Sequence, residues 1–118
     1  MILLDAGLTG TMLGESMEDG TMAKGYWIAC YREVKDPNAL AAYAKLAIPA
    51  ITKAGGRALA RGTPAKALEA GLNQRTVLIE FDNVASAIAV YESPDYQAAL
   101  KLLGNAVVRD LRIVEGVD

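Results

Sequence analysis

From Thr76 to Phe81 the chain reads Thr-Val-Leu-Ile-Glu-Phe, and two polar residues later it continues Val-Ala-Ser-Ala-Ile-Ala-Val-Tyr. The first run is short, apolar and period-two, which specifies a strand with Val77, Ile79 and Phe81 on one face and Thr76, Leu78 and Glu80 on the other. Asp82 or Asn83 caps a helix whose apolar stripe is Val84, Ala87, Ile88 and Tyr91. Ser93-Pro94 is a cap followed by a first-turn proline, so a new helix begins there, with Tyr96, Ala99, Leu100 and Leu103 as its stripe and Gly104-Asn105 as its stop. A lone strand joined to two helices leaves its edges unpaired. The remaining segments must therefore pair with this unit or cover it.

They read accordingly. Gly25 to Val34 is a strand apolar on both alternating faces, which requires cover on both sides. Asp36-Pro37 opens a helix with Leu40, Tyr43, Ala44, Ala47, Ile48 and Ile51 on one stripe, a kink expected at Pro49 and an end at Gly55-Gly56. Arg57 to Gly62 is a strand that, if regular, places Arg57, Leu59 and Arg61 on one face and Ala58 and Ala60 on the other. Residues 63–75 form a connection in which Ala65 to Ala70 can add a short edge strand. Val107 to Glu115 is the last strand. The order β-α-β-β-α-β is the ferredoxin-like plan, an α+β fold with helices on one face of an antiparallel sheet. Trp27, Leu59, Leu78 and Leu111 suggest that the second face is apolar too. The simplest cover is the same face of a second copy, so a homodimer closing a barrel around a cavity is expected.

Composition narrows the chemistry. The 118 residues suffice for one domain, and the 53% apolar content supplies a core. Twelve basic residues are balanced by 14 acidic ones with no Lys/Arg block, which argues against nucleic-acid binding. There is no His, which removes the Ser-His-Asp triad, His-ligated zinc and proximal-His haem. A single Cys leaves no internal disulfide and no Cys-rich metal site, and fits a reducing cytoplasm. No metal or cofactor is expected. No apolar run approaches the ~18 residues of a membrane helix. Residues 1–22 differ from the rest, with four glycines and four acids but no base, and Met22-Ala23-Lys24 would itself serve as a bacterial start. They are expected to form a peripheral extension or arm, and 23–118 the single domain.

Taken together, Gly25-Tyr26-Trp27-Ile28-Ala29, Asp36-Pro37, Gly55-Gly56-Arg57, Arg61-Gly62, Ile79-Glu80-Phe81, Ser93-Pro94-Asp95-Tyr96-Gln97 and Glu115-Gly116-Val117 resemble the domain-of-unknown-function 1330 family over residues 24 to 117. The resemblance implies a dimeric α+β barrel, a fold shared with antibiotic-biosynthesis monooxygenases and similar small-molecule enzymes. It implies no activity of its own. The chain departs from the usual pattern in its leading segment, and in Ala58 and Ala60 where bulkier residues are common.

Glu80 is the candidate acid, either a general base or ligand anchor, or half of a Glu–Arg pair with Arg57 or Arg61 that sets strand register. Tyr43 and Tyr96 offer hydroxyls to a pocket or fill the core with their tips at its rim. Trp27 is a stacking platform for a planar ligand or part of a dimer interface. Cys30, between apolar neighbours and without a His to activate it, reads as a buried small hydrophobe. No glycine pattern makes a phosphate loop. Three function classes follow: a metal- and cofactor-free enzyme of monooxygenase or isomerase type, a non-catalytic ligand-binding protein, and a structural dimer. Deleting residues 1–22 is expected to lower the melting temperature by less than ~5 °C, roughly a kilocalorie for a domain this size; a larger loss in a thermal melt would make the segment part of the core.

Overall fold

The central strand sets the layers. Trp27, Ala29 and Tyr31 are buried, while Tyr26, Ile28 and Cys30 between them are not. The computed structural model describes residues 23–117; the leading segment 1–22 lies outside the described residues. In chain order the elements are β1 (Gly25–Val34), α1 (Pro37–Lys53), β2 (Arg57–Gly62), β3 (Thr76–Phe81), α2 (Val84–Glu92), α3 (Pro94–Leu103) and β4 (Val107–Glu115). The strands form one antiparallel sheet in the order β2-β3-β1-β4. This is the ferredoxin-like α+β arrangement, with its second helix broken into two at Ser93.

Local chemistry ends each helix where it should. The Asp36 carboxylate accepts from the Asn38 and Ala39 N–H groups, and Pro37 occupies the first turn, where no N–H is needed. Asn83 accepts from the Ser86 N–H at 2.8 Å, and Ser93 accepts from the Tyr96 N–H at 3.2 Å. Each such cap is worth about 1 kcal/mol. Gly25 lets the start of α2 approach the sheet: a Cβ there would sit 2.6 Å from the Asn83 carbonyl oxygen. α1 runs through Pro49 to Lys53.

All three helices lie on one face, over Trp27, Ala29 and Tyr31 of β1, Val77, Ile79 and Phe81 of β3, and Leu111 and Ile113 of β4. Trp27 is only 2% exposed and sits at the centre. Its ring meets Phe81, Tyr91 and Tyr96 at centroid distances of 5.3, 5.9 and 5.1 Å. Its indole N–H donates to the Ala87 carbonyl at 2.9 Å and so ties β1 to α2. The other face carries Tyr26, Ile28, Leu78, Glu80 and Val114, with no helix over it.

Four expectations change. Trp27 and Leu111 belong to the helix-covered face, so Trp27 is core of its own chain and not of a dimer interface. β2 is irregular: Ala58 pairs with Ile79 but Ala60 pairs with Leu78, which leaves Leu59 as the extra residue of a bulge. The bulge puts Arg61 opposite Val77, on the helix side, while Arg57 opposite Glu80 stays on the open side. Residues 65–70 form no strand, because Glu69 takes a left-handed φ of 53° and the Gly71 N–H closes a turn onto the Leu68 carbonyl at 2.8 Å. Cys30 is exposed, since its strand position points it to the uncovered face.

Candidate functional site

Between α1 and the sheet lies a cleft of about 290 Å³. Its walls come from Leu40, Ala44 and Ile48 of α1, its floor from Ala29, Val77 and Ile79, and Trp27 closes its inner end. Ala41, Ala44 and Ala47 are what leave this space, because a larger side chain on that stripe would fill it. Three arginines border the cleft: Arg61 from β2, Arg75 from the residue before β3, and Arg109 from β4. No acidic side chain lines it, and none of the ion pairs among the described residues involves these three.

Strand register explains their meeting. The Tyr31 N–H bonds the Arg75 carbonyl at 2.9 Å, and Tyr31 also pairs with Arg109. One row across three strands therefore reads Arg75, Tyr31, Arg109, all on the helix side. The two guanidinium carbons lie 5.9 and 5.7 Å from the centre of the Tyr31 ring. Arg109 donates to the hydroxyls of Tyr31 at 3.4 Å, Tyr43 at 3.1 Å and Tyr96 at 3.3 Å. The Tyr43 and Tyr96 hydroxyls are 2.5 Å apart and share a proton bond. Burial, with Tyr43 next to it, pushes the Tyr96 phenol far above its ordinary range. It is therefore a neutral hydroxyl at any physiological pH. Burial works against the Arg109 charge, but the surrounding phenols outweigh it and the group stays cationic. The Arg75 Nε is buried without a hydrogen-bond partner. A stranded donor of this kind costs about 1–3 kcal/mol.

Glu80 sits on the other side of the sheet. Its Oε1 accepts from Arg57 Nε at 3.0 Å and its Oε2 from the Tyr26 hydroxyl at 2.9 Å. Arg57 also reaches the Gly55 carbonyl at 3.0 Å and Asp82 at 3.5 Å. The Tyr26 hydroxyl first, then Arg57, hold the Glu80 carboxyl below its usual value. Both carboxylate oxygens are occupied by partners from the same sheet. The expected candidates thus divide. Trp27, Tyr43 and Arg61 border the cleft, Tyr96 stands one hydrogen bond behind Tyr43, and Arg57 with Glu80 form a separate pair on the open face. Tyr31, Arg75 and Arg109 were not singled out in the sequence. Their signal was parity: Arg109 alternates with Leu111 and Ile113, and Arg75 with Val77 and Ile79, so each is a charge at an apolar position. Among the described residues no group of three or more His, Cys, Asp or Glu could hold a metal ion. Nor is any helix there long and apolar enough to cross a membrane.

The sequence profile of the family described as "Domain of unknown function (DUF1330)" matches residues 24–117. No curated protein matches the chain. Among solved structures, a protein of unknown function from Rhodopseudomonas palustris, RPA0582, is similar at 16% identity over 92% of this chain and 95% of its own, with a TM-score of 0.64. Its methylated form gives 15% identity over 92% and 93%, with a TM-score of 0.67. A Caulobacter crescentus CB15 protein described as a "putative antibiotic biosynthesis monooxygenase" is 14% identical over 88% and 99%, with a TM-score of 0.53. At these identities the likeness is one of fold.

The two networks have opposite pH signatures. The raised Tyr96 phenol gives stability that is complete below the ordinary phenol value of about 10 and is lost as pH rises through the folded value. The lowered Glu80 carboxyl gives stability that is present above the ordinary value of about 4.3 and is lost as pH falls through the folded value. In urea titrations across pH, Tyr96→Phe should flatten the alkaline limb alone, whereas Glu80→Gln should flatten the acid limb and also remove the alkaline contribution of Tyr26, whose phenol the Glu80 carboxylate raises. At neutral pH Tyr96→Phe should cost about 1–3 kcal/mol, because it leaves Arg109 and Tyr43 short of a buried partner. Unchanged limbs would show that these contacts do not persist in solution.

Proposed function

The chain belongs to the DUF1330 family, and from that premise we propose that it binds a small organic molecule in the cleft between α1 and the sheet and works as a homodimer. The observation that carries the binding reading is Arg109. It is a half-buried cation in an apolar cleft, held by neutral hydroxyls alone, with no ion-pair partner among the described residues. A purely structural cation is ordinarily given a counter-charge, and a binding site leaves that place to its ligand. Ala44→Phe fills the cleft from the helix side. A fragment library of small aryl and alkyl compounds should raise the melting temperature of the wild-type protein, and the shift should vanish in Ala44→Phe. Arg109→Met should lose the same shift while its unliganded melting temperature falls by no more than ~5 °C, about a kilocalorie. No stabilising fragment, or a collapse of the unliganded Arg109→Met protein, would make the cluster structural.

Turnover of the bound molecule is the second reading, and a specific contact favours it. If Tyr96 donates to Tyr43, the Tyr43 proton is free to point into the cleft with Arg109 behind it. A hydroxyl backed in this way stabilises negative charge developing on a ligand oxygen. That is a requirement of metal-free isomerase or monooxygenase chemistry, and the Caulobacter neighbour shares the fold.

The dimer reading rests on the uncovered face. Ala60, Leu78 and Ile28 are cross-strand neighbours there, which makes an apolar stripe over three strands. Val114 is 44% exposed on the same side. Ion pairs border the stripe: Arg112–Asp110 at its β4 end and Arg57–Glu80 in the neighbouring row. A two-fold axis through the stripe would bury it against itself. Cys30 and the trough beside it, walled by Leu68 and Leu72, lie on this face as well. Light scattering at micromolar concentration should give about twice 12.5 kDa; a stable monomer would leave the face without its expected cover.

A further inference from the structure

Resting on the reading of the cleft as a ligand site, we infer that its ligand is an amphipathic carboxylate: one anionic head on an aryl or alkyl body of roughly ten non-hydrogen atoms. Size follows from the cleft. It measures about 290 Å³, and a water-sized group takes roughly 30 Å³ of liquid volume. Polarity follows from its walls, which are alanine, leucine, isoleucine, valine and aromatic carbon except at one end. Charge follows from that end. Arg75 and Arg109 meet there at the Tyr31 ring, Arg61 lines the same cleft, and no acid lines it to offset them. Like charges bordering one apolar space repel each other, and an incoming anion relieves that repulsion.

The donors also indicate which anion. Arg109 spends Nη1 and Nη2 on three phenols. Arg75 keeps its buried Nε unpartnered, with its guanidinium 5.9 Å from the Tyr31 ring. That Nε is enclosed by protein, so the edge of Arg75 that can grip a planar carboxylate through two parallel bonds is the pair of Nη groups of this cleft-lining side chain. Arg61 faces the same side two residues along the neighbouring register and supplies a more exposed second charge. The head therefore seats on Arg75 beside Tyr31, and the body runs beneath α1 over Val77 and Ile79 toward Trp27.

Matched acid and amide pairs isolate the charge while keeping the body constant. Calorimetry of the full chain is run at low salt with benzoate, phenylacetate and octanoate, each against its carboxamide. At least one acid should bind about tenfold or more tightly than its amide, the ratio expected of a charge-assisted bidentate contact. Affinity for the acid should fall as salt is raised. Arg75→Gln should reduce acid binding about tenfold, leave amide binding unchanged and leave the unliganded melting temperature equal or higher. Arg61→Gln, an exposed substitution, should give a smaller loss in the same direction. Equal binding of acid and amide that disappears in Ala44→Phe would overturn the carboxylate and leave the cleft as a neutral-ligand site. Binding of none of the six compounds would overturn the carboxylate as well. Fragment stabilisation abolished by Ala44→Phe, tested separately, then decides whether the cleft binds anything. Acid binding that survives Arg75→Gln unchanged would overturn the assignment of the head group to that side chain.

Discussion

Trp27 is the contact on which the rest of the molecule depends. It stands on the strand with neighbours on both sides, so its position is set by two ladders at once. From there it touches aromatic rings on β3, α2 and α3, and its N–H takes the carbonyl of Ala87. Aromatic pairs in tilted and edge-on arrangements are each worth about 0.5–1.5 kcal/mol beyond the area they bury. These contacts fix the α2–α3 side of the helical layer firmly. α1 is held chiefly by packing along α3 and by its Asp36 cap, and it crosses above the sheet at a distance that alanines leave partly unfilled. Tight packing at one end of the layer and small residues at the other are what make a cleft.

The sheet then separates two kinds of charge. On the open face, acids and bases are matched: Arg57 with Glu80 and Asp82, and Arg112 and Arg32 with Asp110. The face can be covered without stranding a charge. On the helix side the arrangement is one-sided, with Arg61, Arg75 and Arg109 and no acid among the cleft's lining. Neutral phenols and the Tyr31 ring are the partners of Arg109, and they hold a cation in place without cancelling it. A cation kept charged and incompletely paired lowers stability, and it is the feature on which the proposed anion site rests.

Much of the fold was legible because its determinants are local. The Asp36-Pro37, Asn83 and Ser93-Pro94 caps, the two glycine-marked helix ends, the apolar run of β1 and the period-two run of β3 each speak for a few adjacent residues, and each was satisfied within them. A pair between Glu80 and an arginine of β2 was legible for the same reason, though the choice of Arg57 over Arg61 came only with the register of β2 on β3. The cleft was not, because its cations come from three separate segments.

What the sequence by itself determined was therefore the order of elements, their ends and which residues of β3 and the helices face inward; the inward face of β1 was settled only by the position of Trp27 beneath the helices. Tertiary structure alone decided the course of β2 and the membership of the site. The bulge at Leu59 has no signature in Arg-Ala-Leu-Ala-Arg-Gly; it arises where that strand must follow the twist and register of β3. One extra residue carries Arg61 from the open face to the cleft and leaves Arg57 behind. In the same way Arg75 and Arg109 meet at Tyr31 only because β1 lies between their strands. Side-chain parity is a property of one strand, whereas proximity across a sheet depends on the hydrogen-bond ladders that join several.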